Sequence, residues 1–311
     1  MTDAFCARLE TVPLPLLFDS QFLSKLEQLY LLSKKLFRGA HRAERKSRQT
    51  GSSLEFADYR NYTLGDDPRT VDWNIYGRLD RLFVKLFEQE QDLHIYFLVD
   101  ASGSMRWSAD GGATMPKLAV ACRVCASLAY IGLSNLDRVN IHWFGVDLGD
   151  DLGLSRGKSQ FHSVLDFLRR PPAMEGPTRL MTSFRAFAHR MKRRGLVFVI
   201  SDLFDPEGYE AALDLLRFHQ FQLNVIQILD PSEIDPRMTG DLRLIDSETE
   251  QPFEVTADEG LLRRYRVTFT HFVQSLAAFC LRRDIGFGQA TTAMPFEDVV
   301  LRVLRDGMMM K

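Results

Sequence analysis

The sequence predicts an α/β fold with a mostly parallel central sheet, helices on both faces of that sheet, and an N-terminal helical and β extension. Two observations favour this fold class. The runs HIYFLVD (94–100), LVFVISD (196–202) and QLNVIQIL (222–229) are almost continuously apolar, as strands buried on both faces are. Segments of helical length separate these runs, and such alternation is typical of a parallel sheet covered on both sides.

The first ninety residues differ from the rest of the chain. The segment SQFLSKLEQLYLLSKKLF (20–37) has helical spacing, a basic stretch follows at 38–48, and the next residues are rich in Tyr, Asp, Gly and Arg. We therefore expect residues 1–90 to form the extension and residues 91–311 to form the α/β domain. The basic stretch is either a solvated helix end or linker, or a docking surface.

Strands and helices alternate after residue 91. Prolines mark two helix boundaries, since Pro116 is tolerated at the start of a helix, whereas Pro171 and Pro172 end another. The predicted elements are a strand at 94–100, a helix at 116–134, a strand at 138–145, a short hairpin at 146–154, helices at 159–170 and 178–194, a strand at 196–202, a helix at 208–219, a strand at 222–229, a hairpin at 241–256, a helix at 258–283, the segment IGFGQA (285–290) and a final helix.

Composition excludes several classes of protein. The net charge of −2 and the pI near 6.4 provide no overall attraction to nucleic acid or to an anionic membrane. Even the apolar run 118–133 is interrupted by Arg123, and the N-terminus lacks the pattern of a secretion signal, so the expected location is the cytoplasm. Four scattered cysteines predict no disulfide framework, and we expect Cys122 and Cys125 to pack on one face of a helix.

Polar side chains lie where the predicted strands end. Asp100, Ser102 and Ser104 follow the first buried strand, Thr178 precedes a helix, and Asp202 ends another buried strand. In open α/β sheets, ligands bind beyond the carboxyl ends of the strands. Hydroxyl and carboxylate oxygens suit a hard divalent cation such as Mg²⁺. The alternative is that these residues only cap the neighbouring helices.

The order Asp-x-Ser-x-Ser, then Thr, then Asp resembles the metal-ion-dependent adhesion site of von Willebrand factor A-like domains. This resemblance implies a Rossmann-like fold and a site for Mg²⁺, or for Mn²⁺ or Ca²⁺. It also implies that the serines and the threonine contact the metal directly, that the aspartates act largely through water, and that one metal position is left for an acidic group of a partner. The matching residues are Asp100, Ser102, Ser104, Thr178 and Asp202.

A second signature precedes the first buried strand. The run Y-x-x-G-D-D-x-R-x-x-D-W (62–73), followed by Arg78 and LFVKLFEQE (82–90), resembles the bacterial family called domain of unknown function fifty-eight. That resemblance implies an adaptor or chaperone-like partner of a MoxR-type AAA+ ATPase. One departure is EGPTRL (175–180), where the family more often has GGTD; here Arg179 replaces an acid. An arginine beside the metal loop either weakens cation binding or favours an acidic partner.

The charged residues of the second signature alternate in sign. This pattern predicts a partly buried ion network that joins the segment to the sheet. The alternative is a partner surface, in which Trp73 and Tyr76 would be the anchors. The charged residues are Asp66, Asp67, Arg69, Asp72 and Arg78.

Competing activities have weaker support in the sequence. GLSRGKS (153–159) resembles a phosphate loop but has one residue too few between its glycines. No G-x-S-x-G elbow is present, and His94 and His142 fall inside predicted strands. The Arg-rich stretches lack interleaved aromatics. We therefore expect a non-enzymatic, Mg²⁺-dependent protein-binding module, with a metal-dependent hydrolase that uses the same site as the alternative.

Overall fold

The computed structural model describes residues 17–44, 55–88, 93–106, 115–174, 176–249 and 251–309. The chain divides into a smaller compact unit, residues 34–92, and a larger one, residues 1–33 together with 93–311. Side chains of the basic stretch at 38–48 lie outside the description, so its two interpretations stay predictions.

Elements are numbered in chain order. The strands are β1 (Glu55–Asn61), β2 (Phe83–Glu88), β3 (His94–Asp100), β4 (Arg138–Phe144), β5 (Leu148–Asp151), β6 (Ser155–Arg156), β7 (Leu196–Ser201), β8 (Gln222–Leu229), β9 (Gly240–Ile245), β10 (Pro252–Ala257) and β11 (Gly286–Thr291). The α-helices are α1 (Ser20–Glu44), α2 (Trp73–Leu79), α3 (Lys117–Ser134), α4 (Phe161–Leu168), α5 (Leu180–Arg190), α6 (Glu210–Phe218), α7 (Pro231–Ile234), α8 (Glu259–Arg282) and α9 (Phe296–Met309).

The larger unit is built on a mostly parallel sheet. Its strand order is β11-β8-β7-β3-β4-β5, and β6 also pairs with β4. The first five strands of this order run parallel, whereas β5 and β6 run antiparallel to β4. The predicted α/β class with a mostly parallel sheet is therefore confirmed. The predicted hairpin at 146–154 is wrong, because β5 and β6 pair with the edge of β4 rather than with each other.

Both faces of the sheet are covered, which explains why its central strands read as apolar runs. All seven residues of β3 are buried. Tyr96 and Leu98 belong to the core cluster that includes Phe187 of α5, whereas Phe97 stacks on Phe198 at 5.2 Å. Successive side chains of a strand point to opposite faces, so each face of β3 requires apolar residues.

The start of α1 packs into the larger unit. Leu17, Phe18, Phe22 and Leu26 are buried, and the ring of Phe22 lies 4.7 Å from that of Phe296 on α9. The predicted boundary had assigned all of residues 1–90 to one extension. The structure differs, because these apolar side chains place residues 17–33 with the larger unit, and the separate unit begins at residue 34.

Helix α3 crosses the larger unit as a core helix. By length and composition alone it is apolar enough to span a membrane, but 89% of it is buried within the fold, as the core helix of a globular unit is. Cys122 and Cys125 are free and buried on this helix. Burial raises the pKa of both thiols, so these cysteines pack rather than react.

Candidate functional site

The carboxyl ends of β3 and β7 bring two aspartates together. The strands are neighbours in parallel register, with Val99 opposite Ile200, so Asp100 and Asp202 lie at the same edge of the sheet. Both carboxylates are fully buried. Burial, and then the negative charge of Asp202, raise the pKa of Asp100 to about 7. The negative charges of two neighbouring buried carboxylates repel each other, and a nearby positive charge stabilises both.

Hydroxyl groups surround Asp100. Its Oδ2 accepts a hydrogen bond of 2.6 Å from Ser201 Oγ, and its Oδ1 accepts one of 2.9 Å from the amide of Ser102. The Oγ atoms of Ser102 and Ser104 lie 3.0 Å apart. The Asp-x-Ser-x-Ser loop thus folds back on the strand end, and its two hydroxyls converge beside the buried carboxylate.

Thr178 lies in the loop before α5, and its hydroxyl does not cap that helix. The predicted helix start at residue 178 is wrong by two residues, since α5 begins at Leu180, whose amide donates to Asp205 Oδ2 at 2.7 Å. The amide and the hydroxyl of Thr178 instead donate to the two carboxylate oxygens of Glu248, at 3.0 and 2.7 Å. Glu248 lies in the turn between β9 and β10.

The same turn contacts the serine loop. Gly103 lies against the Ser247 carbonyl so closely that a Cβ atom at position 103 would overlap it. The turn therefore contacts the Asp-x-Ser-x-Ser loop through Ser247 and the Thr178 loop through Glu248. Four of the five predicted site residues form one cluster: Asp100, Ser102, Ser104 and Asp202. Thr178 is connected to this cluster through the turn, which bonds to Thr178 with Glu248 and contacts Gly103 with Ser247.

Lys117, the first residue of α3, is a part of the site that the sequence reasoning missed. Its ammonium group is fully buried, lies 2.7 Å from Asp202 Oδ2, and pairs with Glu233 of α7. It also lies 5.2 Å from the centre of the Phe204 ring. Burial by itself lowers the pKa of Lys117, but Asp202 and Glu233 outweigh burial and raise the pKa. A single lysine at the start of an apolar helix, directly after Pro116, was the available signal.

The donor set fits a hard divalent cation beside Asp100. Ser102, Ser104 and Asp100 offer the hydroxyl and carboxylate oxygens that Mg²⁺ prefers. Mg²⁺ needs few protein ligands, because water fills its remaining positions. Asp202 is partly neutralised by Lys117, so it has less charge to offer. Within the described ranges no group of three or more His, Cys, Asp or Glu side chains could hold a metal, and the predicted site depends on hydroxyls.

In the part of the chain that the structure describes, the charged residues of the second signature do not pair with one another as their alternating signs predicted. Among the described side chains no ion pair joins these aspartates to Arg69 or Arg78; Asp66 pairs with Arg60 at 2.8 Å instead. Asp67 caps a short 3₁₀ turn, and Asp72 caps α2. Asp67 and Asp72 instead accept hydrogen bonds from the first amides of the turn and the helix that follow them.

The aromatic residues of the same segment are exposed. Trp73 is 62% exposed and Tyr76 41% exposed, and their rings contact each other edge to face at 6.2 Å on α2. Exposed aromatic side chains of this kind are available to a partner. The partner-surface interpretation therefore stays a prediction.

Comparison with known proteins identifies the family. The model of the family described as "Protein of unknown function DUF58" matches residues 58–273. Uncharacterized proteins of Mycobacterium bovis (Mb1516) and Mycobacterium tuberculosis (Rv1480) are 23% identical over 250 residues, covering 78% of this chain and 76% of theirs.

Two solved structures are also similar. An aerotolerance-related membrane protein from Bacteroides fragilis has a TM-score of 0.43 and 16% identity, covering 68% of this chain and 99% of that one. BatB from Bacteroides thetaiotaomicron has a TM-score of 0.42 and 13% identity, covering 69% and 98%. Because the family model matches more than half of its residues, the chain belongs to the DUF58 family.

Proposed function

We propose that this protein is a non-enzymatic binding module that uses Mg²⁺ to bind an acidic side chain of a protein partner. The cation would be held by the site residues named above: Asp100, Ser102, Ser104, Thr178 and Asp202. The observation that carries the proposal is the cluster at the ends of β3 and β7. Two fully buried carboxylates lie there beside two serine hydroxyls that are 3.0 Å apart.

The charge of the cluster supports a cation. Among the described residues, the buried ammonium group of Lys117 pairs with Asp202 and Glu233, whereas Asp100 and Glu248 form no salt bridge. Buried charges are stable only when they are paired. A bound Mg²⁺ would supply positive charge and would attract a carboxylate to its remaining position. The chain's own part is to hold the hydroxyls in place through the hydrogen bonds of Asp100 and to exclude bulk water by burial.

The partner follows from the resemblance of the sequence. We propose a MoxR-type AAA+ ATPase, or a client of it, as the protein that presents the acidic side chain, and the cytoplasm as the location. This chain would then act as an adaptor or as a chaperone-like component. The exposed pair Trp73 and Tyr76 would add a second contact surface.

Metal binding is testable with purified protein. Mg²⁺ at about 100 times its Kd should add about 2.7 kcal/mol to the free energy of unfolding of the wild type. Ser102→Ala and Asp100→Asn should lose this increment, because each removes an oxygen donor or its charge. Ser275→Ala, at a half-buried position of α8 that is not part of the cluster, should keep it. The measurement is urea unfolding with Mg²⁺ and with chelator, and equal gains in all four proteins would refute the site.

Partner binding separates the adaptor from an enzyme. Affinity for an ATPase captured from native lysate should fall about tenfold or more, or 1.4 kcal/mol, when chelator replaces Mg²⁺, while folding is unchanged. Affinity that is equal in both conditions would count against the proposal. Mg²⁺-dependent ester hydrolysis that Ser102→Ala abolishes would support the hydrolase instead.

A further inference from the structure

The turn between β9 and β10 covers the candidate site with an acidic side chain of the chain itself. Glu248 accepts hydrogen bonds from the amide and the hydroxyl of Thr178 on separate carboxylate oxygens, at 3.0 and 2.7 Å. Thr178 lies just before the N-terminus of α5, an 11-residue helix. The positive end of the helix dipole and two aligned donors make this a carboxylate-binding position.

Hydrogen bonds within the turn fix its conformation for this contact. Asp246 Oδ1 accepts hydrogen bonds from the amides of Glu248 and Thr249, at 2.8 and 2.9 Å. These bonds lower the pKa of Asp246, so the aspartate stays charged and holds the turn. The Ser247 carbonyl then lies against Gly103, where any side chain would overlap it. An acidic residue is therefore presented on a rigid turn, directly over the Asp-x-Ser-x-Ser loop.

The β9–β10 hairpin, which carries this turn, buries few of its residues. Among the described strands, β9 and β10 pair only with each other and are not part of the larger sheet. Most of their residues are exposed, including Ile245 at 56% and Phe253 at 54%. The segment 235–239 has neither helix nor strand, and Gly240 has a φ of 101°, which favours glycine. Elements with so little buried area open at low free-energy cost.

We infer that the β9–β10 hairpin is an internal ligand of the site: Glu248 occupies the place of the partner's carboxylate and must leave before the partner binds. This inference rests on the proposed function. The internal carboxylate and the external one need the same donors, so they bind in competition. The apparent affinity for every partner is therefore the intrinsic affinity multiplied by the fraction of molecules in which the hairpin is undocked.

The preferred partner follows from the same contact. The site accommodates a carboxylate on a turn, with the preceding carbonyl packed against the glycine of the serine loop. A partner that presents an acidic residue at the tip of a β-turn fits this position.

The hairpin itself provides the probe. A cyclised, fluorescent peptide with the sequence of residues 244–252 should bind the full-length Glu248→Ala variant in Mg²⁺ at least tenfold more tightly than it binds the wild type. Glu254→Ala is the matched control, because Glu254 is an exposed glutamate of the same hairpin, and it should behave as the wild type. The peptide with Glu248→Gln should bind none of the proteins. Fluorescence anisotropy in Mg²⁺ and in chelator measures each affinity.

A second variant undocks the hairpin by a change in the serine loop rather than in the hairpin. Gly103→Ala should push the Ser247 carbonyl away, and hydrogen exchange in the turn 246–249 should then rise, as in Glu248→Ala. Exchange in the turn that is unchanged in both variants would show that the hairpin does not depend on this contact, and would overturn the inference.

The outcomes separate this inference from the proposed function. If the wild type and Glu248→Ala both gain stability with Mg²⁺ and bind the peptide equally, the internal-ligand proposal is wrong and the metal site stands. If neither protein responds to Mg²⁺, the proposed function fails and this inference fails with it. Tighter Mg²⁺-dependent binding to Glu248→Ala alone supports both.

Discussion

At the scale of single residues, Lys117 sets the charge of the candidate site. Its ammonium group lies between Asp202 and Glu233, and all three charged groups are largely removed from water. A buried pair contributes little net stability, but removal of one partner leaves the other charge unpaired at a large cost. Lys117 thus balances part of the buried negative charge, and under the proposed function it would compete with Mg²⁺ for Asp202.

Lys117→Met should therefore have opposite effects on stability and on metal binding. Without Mg²⁺ we expect the free energy of unfolding to fall by about 3–5 kcal/mol, because two buried carboxylates lose their counter-charge. With Mg²⁺ part of this loss should return, and the affinity for Mg²⁺ should rise, because Asp202 is freed. Urea unfolding and isothermal titration calorimetry measure the two quantities.

The control for this variant is Lys192→Met, which changes an exposed lysine and should leave both quantities unchanged. If Lys117→Met binds Mg²⁺ more weakly than the wild type, the lysine supports the cation site rather than competing with it, and the charge argument is wrong.

At the scale of elements, the signature of the smaller unit is explained by capping. Asp72 Oδ1 accepts from the amide of Asn74 at 2.9 Å, which caps α2, and Asp72 Oδ2 accepts from the hydroxyl of Tyr59 at 3.1 Å. One carboxylate thus joins α2 to β1. Asp67 Oδ1 accepts from the amide of Arg69 at 2.9 Å and starts the turn before it. The aspartates of this signature organise a seven-residue helix that carries two exposed aromatics.

Removal of the cap should loosen α2 locally. Asp72→Ala should cost about 1 kcal/mol, because the first amides of the helix and the Tyr59 hydroxyl lose their acceptor. Hydrogen exchange of the α2 amides should then be about fivefold faster, as a 1 kcal/mol loss implies. Asn74→Ala, at an exposed position of the same helix, is the control. Equal exchange in the two variants would show that the cap does not hold α2.

At the scale of the whole molecule, the sheet buries a titratable group that takes no part in the candidate site. His142 of β4 is fully buried, and its ring meets Phe187 edge to face at 5.2 Å. Neither of its ring nitrogens has a hydrogen-bond partner among the residues that the structure describes. Burial lowers its pKa from 6.5 to about 4; the nearby Asp151 opposes this change, and Arg190 adds to it.

This histidine should make the fold sensitive to acid. The unfolded chain binds a proton below pH 6.5, whereas the folded chain binds one only near pH 4, so the free energy of unfolding falls as pH falls through this window. The loss should reach about 3 kcal/mol at pH 4. His142→Leu should remove this part of the pH dependence, and the same change at the exposed His271 should not.

The difference between the two variants isolates the effect, since the raised pKa of Asp100 acts in the opposite direction in both. Urea unfolding from pH 7 to pH 4 provides the measurement. Parallel pH profiles for the two variants would show that His142 does not titrate as argued.

Much of the fold could be predicted because its signals are local. The runs that became β3, β7 and β8 are apolar at consecutive positions, helical spacing marked α1, and Pro116 marked the start of α3. Errors arose where pairing was decided by distant partners. Segment 146–154 looked like a hairpin, but it contains the single strand β5, which pairs with the edge of β4, as does β6 directly after the segment. The start of α1 looked like part of an extension, but Phe22 packs against Phe296, which lies near the other end of the sequence.

By itself, the sequence determined the α/β class, the strand ends that present Asp100, Ser102 and Asp202, and the family, because each depends on short patterns along the chain. Only the tertiary structure decided what surrounds those residues. Lys117 reaches Asp202 across 85 residues, and Glu248 reaches Thr178 across 70. Contacts of that range leave no periodic mark in the sequence, since a lone lysine or a glutamate in a turn has no significance until folding places it beside an opposite charge or a pair of donors.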